Sequence, residues 1–414
     1  MSPVSLIIVG AGSRGATYAR FAAEFPDRAQ VVGVAEPRDA YRNDLAEAHS
    51  IPADRVFTDW KQVAAQARFA DAVIIATQDR MHVEPAIAFA DLGYDILLEK
   101  PMAPDAAGCH QIVGAAKANG IILGVCHVLR YTAFTRKLKG LIDEGAIGDI
   151  VGLQRLEPVG FWHMAHSFVR GNWHNEAASG PMLLTKSCHD IDWIHYIMGV
   201  PCEAVSSFGS LKHFRAEEAP EGAAARCVEC PVEAECAYSA KRFYLEALKR
   251  GHTGWPVNIL TPEPSEESVS AALATGPYGR CVYALDNDVV DHQVVSMNFE
   301  GGRTATFTMM AFTEMGHRET SVFGTKGQLT GDGRYIHLYD FLTDQTTTFD
   351  TEAGDSSILG GHGGGDFGLM DSFVRAVAEQ NPSLILSGPD ETLSSHLLVF
   401  AAEQARREGR VVKL

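Results

Sequence analysis

The apolar run ILLEKPM, residues 96–102, ends on Glu99, Lys100 and a proline. A lysine closing a buried strand meets either open solvent or a cleft. In a cleft, held out of water beside a positive charge, an amine gives up its own proton more readily and, once neutral, can take the proton of a hydroxyl whose carbon gives up hydride. A second set of titratable side chains lies in TKSCHDID, residues 185–192. If this stretch is helical, Lys186, His189 and Asp192 fall at i, i+3 spacing and project from roughly one face. Asp192 then either orients the His189 imidazole or is a solvated acid at a helix start.

The third pattern is IIVGAGSRGATYARF, with Gly10, Gly12 and Gly15 in G-x-G-x-x-G spacing and Ser13 and Arg14 between them. It follows a strand and opens a helix, the context the motif requires. Gly10 permits the tight turn, Gly12 the close approach of a pyrophosphate, and Gly15 close packing of helix on sheet. The helix start offers free N–H groups and a positive dipole end to phosphates. Glu36 ends the next strand, 21 residues after Gly15. A carboxylate there accepts hydrogen bonds from a ribose and repels a 2′-phosphate, which favours NAD over NADP. Arg38 is the counter-argument, since its guanidinium can pair with a 2′-phosphate or stay a solvated loop charge.

Cysteine supplies a fourth pattern. HFRAEEAPEGAAARCVECPVEAEC presents His213, Cys227, Cys230 and Cys236, and its C-x2-C pair has zinc-knuckle spacing. Three thiolates and a histidine complete a closed, structural tetrahedral site that would order a stretch poor in apolar residues. Free thiols, or Cys281 in place of His213, are the alternatives. Eight cysteines scattered over 414 residues suggest reduced thiols in a cytoplasm rather than a disulfide framework.

These residues need elements to hold them. Up to about residue 126, the runs SLIIV, QVVGVAE, DAVIIAT, DILLE and IILGVC alternate with helical stretches, which implies right-handed βαβ units and a parallel sheet. After about residue 128 come helical patterns at 134–144 and 189–198, then the strands DHQVVSMNFE, RTATFTMMAF, ETSVFGTKGQLTG and YIHLYDF. Their succession predicts a mainly antiparallel sheet with one face covered by helices. Two further helices are expected at about 367–379, capped by Asp366, and 390–407. The predicted fold is α/β: a doubly wound Rossmann domain over 1–127, then an α+β domain over 128–414 with an open-faced sheet and a Cys-rich insertion at about 210–280. DILLE ends at the carboxyl edge of the parallel sheet, where ligands of such folds bind, so Glu99 and Lys100 stand beside the cofactor.

Composition narrows the partners. With 46% apolar and 21% charged residues the chain is that of an ordinary soluble protein. Thirty-five basic against 52 acidic residues, a formal charge of −17, argue against nucleic acid or an anionic membrane. SLIIVG reads as a strand rather than a signal peptide, and no stretch reaches membrane-spanning length.

The glycine-rich entry, TQDRMH (77–82) and EKP (99–101) together resemble the Gfo/Idh/MocA family, the glucose-fructose oxidoreductase and inositol dehydrogenase group. The resemblance continues in LRYTAF (129–134) and LLTKSCHDIDWIHYIMG (183–199), and leaves out the cysteine insertion. It implies an NAD(P)-binding Rossmann domain, an open-faced sheet, and a sugar or cyclitol substrate in the cleft between them. It adds Thr77, Asp79 and His82 to the cofactor edge, makes Lys100 the lysine that contacts the reacting hydroxyl, and matches His189 to the family's proton-transfer histidine. Inositol dehydrogenase-like members carry an aspartate four residues before that histidine, where this chain has Thr185; Lys186 beside it would add affinity for an anionic substrate. Arg130 and Tyr131, Arg170, Trp173 and His174 in RGNWHNE, and His362 in GHGGGDF are further candidates for the cleft. Two catalytic readings follow: a dehydrogenase, or a redox-neutral, NAD-dependent glycosidase of the kind found among similar proteins. A non-catalytic NAD sensor would have no use for Lys100 and His189. The uncovered sheet face predicts a homodimer or tetramer.

Overall fold

The computed structural model describes residues 2–351 and 361–414. Its first sheet is built from β1 (Val4–Val9), β2 (Ala29–Ala35), β3 (Val56–Phe57), β4 (Ala72–Ile75), β5 (Asp95–Leu98) and β6 (Leu123–Val125). All six are parallel, in the order β3-β2-β1-β4-β5-β6. The order reverses beside β1, so the crevice above β1 and β4 is the ligand-binding switch point of a doubly wound sheet. β4 and β5 are buried throughout, as strands covered on both faces must be.

The second sheet has nine strands: β7 (Ile150–Pro158), β8 (Cys202–Ser210), β9 (His292–Phe299), β10 (Arg303–Met310), β11 (Glu319–Gly324), β12 (Gly327–Gly331), β13 (Tyr335–Asp340), β14 (Gln345–Asp350) and β15 (Val412–Lys413). They lie in the order β14-β13-β12-β11-β7-β10-β9-β8-β15, antiparallel except where β7 meets β10. The run ETSVFGTKGQLTG, expected as one strand, is a hairpin: Gly324 and Gly327 pack so closely on Ile147 and Tyr339 that a side chain has no room there. Helices Cys188–Met198 and Pro389–Glu408 cover one face. On the other, Phe208 and Val294 are cross-strand partners and both exposed.

The two halves interlock. Leu369, Phe373 and Val377 of helix Gly365–Glu379 share a core with Tyr18, Phe21 and Val128. That helix starts at Gly364 with no side-chain cap, so Asp366 is not the cap expected of it. Its carboxylate instead pairs with Arg14 across the molecule, Nη2 to Oδ1 at 2.6 Å.

Candidate active site

At the cofactor edge the glycines are sterically required. Gly10 has φ +92°, and a Cβ on it would stand 2.5 Å from the Ala76 carbonyl oxygen. A Cβ on Gly15 would lie 1.9 Å from the Gly10 carbonyl oxygen, so the helix could not approach the turn. Helix Ser13–Glu24 begins after Gly12 without a side-chain cap, and Ser13 is exposed at its first position. Its first N–H groups are therefore available to a pyrophosphate. Arg14 does not point that way: Nε bonds Glu99 Oε1 at 2.6 Å, beside the Tyr18 hydroxyl on the same oxygen. Glu99 in turn accepts the Lys100 N–H at 2.8 Å. Burial alone would raise the Glu99 carboxyl, but the charges of Arg14 and Lys100 outweigh it and hold the group below its ordinary range. Glu99 is thus an anchor for the Lys100 turn.

Glu36 is 2% exposed and accepts the Ala11 N–H at 2.9 Å, which ties the acidic strand end to the glycine loop. Arg38 closes on the same carboxylate through Nε at 2.7 Å and Nη2 at 3.0 Å. Burial raises the Glu36 carboxyl and the Arg38 hydrogen bonds lower it, with a net downward shift. Arg38 is therefore engaged with Glu36 rather than free in the loop. Glu36 and the uncapped, glycine-lined helix start fit a dinucleotide.

Lys100 stands two residues after the end of β5. Its Nζ donates to the Thr185 carbonyl at 2.8 Å, joining the Rossmann edge to the short helix Met182–Thr185 that leads into Cys188–Met198. His82, fully buried, sets the turn from the side, with Nδ1 2.8 Å from the Pro101 carbonyl and Nε2 3.2 Å from that of Thr77. Both ring nitrogens face backbone, so His82 positions the loop instead of binding cofactor. Asp79 receives the Trp173 indole N–H at 3.1 Å; burial raises its carboxyl, and His82 and Lys100 pull it back in part. Trp173 is thereby held against the loop that follows β4, 38% exposed.

His189 lies on the first turn of its helix, 5% exposed, with its ring 5.8 Å from that of His127. Asp192 is turned elsewhere. It takes two hydrogen bonds from Arg130, Nε and Nη2 at 2.7 Å each, and Arg130 also bonds the Leu386 carbonyl. Burial would raise Asp192, but Arg130 holds it at about 2. Asp192 is the counter-ion of a buried guanidinium, and neither it nor Arg130 is open to substrate. Tyr131 is likewise internal, its hydroxyl bonded to Ser387 and to the Leu386 N–H. His127, which the sequence reading passed over, stands between the groups: its Nδ1 is 3.6 Å from Asp192 and its ring 5.4 Å from that of His396. Burial pushes it down to about 3.

Lys186 belongs to a second charged group. Its Nζ is 2.9 Å from Glu157, which Arg318 also approaches at 2.7 Å. Arg318 and Arg155 converge on Asp190 at 2.9 and 2.8 Å. Three cations face two carboxylates, so the group carries one net positive charge. Thr185 contributes its carbonyl to Lys100, while its hydroxyl bonds the Pro181 carbonyl.

Two further expectations are corrected. Arg170 is 3% exposed and faces the insertion, donating to the Arg280 and Tyr238 carbonyls and to Cys227 Sγ at 3.4 Å, so it does not line the cleft. His213 is not a zinc ligand beside the cysteines: Nε2 lies 3.0 Å from the Tyr283 hydroxyl, and its backbone is tied to Asp291. No three His, Cys, Asp or Glu side chains among the described residues already stand as a metal site. His174 is held by the Gly171 carbonyl at 2.7 Å. Gly361–Gly364 form a turn of helix, and the His362 side chain lies outside the described residues.

Comparison with known proteins supplies the family. Inositol 2-dehydrogenase of Streptomyces avermitilis is 30% identical over 222 residues, 53% of this chain and 59% of that protein. The 2,7-anhydro-N-acetylneuraminate hydratase of Mediterraneibacter gnavus is 27% identical over 221 residues, 51% of this chain and 54% of that one. An oxidoreductase from Agrobacterium radiobacter, solved with NAD+, L-tartaric acid and magnesium, superposes with a TM-score of 0.72 at 13% identity, covering 100% of this chain and 98% of that one, which shows a shared fold. Residues 4–127 match the model of the oxidoreductase family with an NAD-binding Rossmann fold, and residues 139–414 that of its C-terminal alpha/beta domain. With both halves matched and the glycine cradle, the Lys100 turn and the two sheets in place, this chain belongs to the Gfo/Idh/MocA oxidoreductase family.

Proposed function

We propose that this protein moves a hydride between NAD and a hydroxyl-bearing carbon of a sugar, cyclitol or glycoside, with Lys100 and His189 as the proton-transfer groups. The observation that carries the reading is the Lys100–Thr185 contact, which brings the amine at the end of β5 onto the segment bearing His189. When bound, the nicotinamide supplies the acceptor for the hydride. Lys100 takes the hydroxyl proton, and the Thr185 carbonyl fixes where its nitrogen stands. His189, screened from bulk water by its burial, is the group that relays this proton onward. Trp173, Thr185 and His174 form the substrate side, and the net positive Lys186 group favours an anionic or strongly polar substrate. Thr77 and Asp79 border the cofactor.

NAD is favoured over NADP because the buried Glu36 carboxylate repels a 2′-phosphate and already occupies Arg38. A homo-oligomer in the cytoplasm completes the reading. The exposed Phe208–Val294 pair gives a subunit interface an apolar anchor, and none of the eight cysteines is paired in a disulfide. A redox-neutral course, with transient oxidation followed by loss of an aglycone, is the second reading, favoured by the similarity to the anhydro-sugar hydratase.

The experiment incubates the protein with NAD and panels of free sugars, cyclitols and aryl glycosides, following NADH and released aglycone together. NADH in step with substrate supports the dehydrogenase; aglycone without net NADH supports the second course and refutes the first. Lys100→Met should reduce turnover by about 10²–10⁴-fold while NAD still binds. Unchanged turnover would remove the role given to Lys100.

A further inference from the structure

The insertion gathers half of the chain's cysteines around one small cavity, and we propose that Cys227, Cys230, Cys236 and Cys281 bind a single structural zinc ion as a tetrathiolate. All four line the same cavity of about 20 Å³, together with Arg170. The local folding explains the convergence. Cys227–Glu229 is one turn of 3-10 helix that brings Cys230 back towards Cys227, with the Cys230 N–H on the Cys227 carbonyl. A second such turn, Glu233–Glu235, presents Cys236. Cys281 arrives from 45 residues beyond Cys236 because Arg280 pairs with Arg226 as a β-bridge and the Cys281 N–H bonds the Ala225 carbonyl at 2.9 Å. One cysteine knuckle, a second turn and a returning strand thus bring four sulfurs together, and four cysteines are one of the donor sets of structural zinc sites.

The second observation is the charge of Arg170. It is 3% exposed and has no ion-pair partner among the described residues. Its Nη2 reaches Cys227 Sγ, and its Nη1 has no hydrogen-bond partner. A buried guanidinium without a counter-charge is strongly destabilising, and neutral thiols do not compensate it. Zinc bound by four thiolates carries two net negative charges, so Arg170 becomes the outer cation of an anionic centre. Four S–H protons leave to solvent on binding and four Zn–S bonds form; nothing is oxidised or reduced. The thiols do not yet stand at ligating positions, so binding turns the four side chains into the cavity. The energetic case for this rearrangement is that the insertion has only a small apolar core of its own, around Tyr244, Val257 and Leu273. Through Arg170 the ion would also brace the segment carrying Trp173.

The test measures metal in the full-length protein, purified without chelator under reducing conditions and incubated with zinc sulfate. About one tightly held zinc per chain is expected, with loss in Cys281→Ser and Cys230→Ser and retention in His213→Ala. Cobalt should replace it with the charge-transfer and d–d absorption of a tetrahedral thiolate site. If the serine variants do not fold, alkylation of the wild type followed by mass spectrometry decides. These four thiols should be protected with metal and reactive after chelation. No bound metal, an iron–sulfur chromophore, or zinc that depends on His213 and not on Cys281 would overturn the proposal.

Discussion

Asp192→Asn separates two roles for one residue. The sequence places Asp192 three positions after His189, as a catalytic orienter would stand; the structure gives it two bonds to Arg130, with both side chains at most 2% exposed. The fall of its carboxyl from 3.8 to about 2 corresponds to roughly 2.5 kcal/mol of stability. Because the folded value is depressed, that contribution is present above about pH 4 and lost as pH falls through about 2. The substitution does more than protonation: it also leaves Arg130 buried beside a neutral amide, and unpairing a buried partner costs about 3–5 kcal/mol. The larger figure governs, so Asp192→Asn should lower the thermal and urea midpoints clearly at pH 7, whereas kcat of the folded fraction at low temperature should stay within about tenfold of the wild type. Arg130→Met combined with Asp192→Leu should recover most of the lost stability, because it removes both charges. The assay pairs unfolding curves with turnover on the same samples. An Asp192→Asn protein of wild-type stability that had lost turnover more than a hundredfold would refute the anchor reading and return Asp192 to His189.

Gly15→Ala should abolish NAD binding or folding, since its Cβ meets backbone at 1.9 Å, whereas Gly12→Ala meets only the movable tip of Arg38 at 3.3 Å and should be milder; calorimetric titration with NAD compares them. Stability should fall as pH drops below 6.5, because burial holds His127 at about 3 and His166 at about 4, so the unfolded chain takes up protons that the folded one refuses. The His127 share is roughly 5 kcal/mol by the bottom of that window, and His127→Gln should flatten the acid limb of the urea midpoint plotted against pH. Lys186→Met should raise KM for anionic substrates several-fold and leave KM for neutral ones nearly unchanged; equal effects on both would show that Lys186 only supports Glu157.

Much of this was legible because local chemistry and global fold agree. G-x-G-x-x-G, the Lys100 turn and the alternation of strands with helices are short-range signals, and each reports on backbone within a few residues. The errors share a different cause. Arg14, Arg130, Arg170 and Asp192 each have the charge and the position of a ligand-binding group, yet each is spent on a partner distant in sequence: Asp366, Asp192, Cys227 and Arg130. Helical i, i+3 spacing put Asp192 near His189 but carried no information about the guanidinium waiting 62 residues upstream. His127 was invisible for the converse reason, since a lone histidine after a buried strand has no local pattern to mark it.

The charged groups form two layers with different freedom. In the inner layer Arg130 and Asp192 cancel each other, both buried, and His127 stays neutral until strongly acid pH. That layer cannot change its charge over the range in which an enzyme works, so it fixes the geometry around His189 without responding to substrate. The outer layer of Lys186, Glu157, Arg318, Asp190 and Arg155 keeps one uncompensated positive charge, and Lys186 and Arg318 retain 18% and 17% side-chain exposure. On the function proposed above, an anion that meets Lys186 neutralises the outer layer without disturbing the inner one. Substitutions in the outer layer should therefore alter which substrate is bound, and those in the inner layer whether the chain folds.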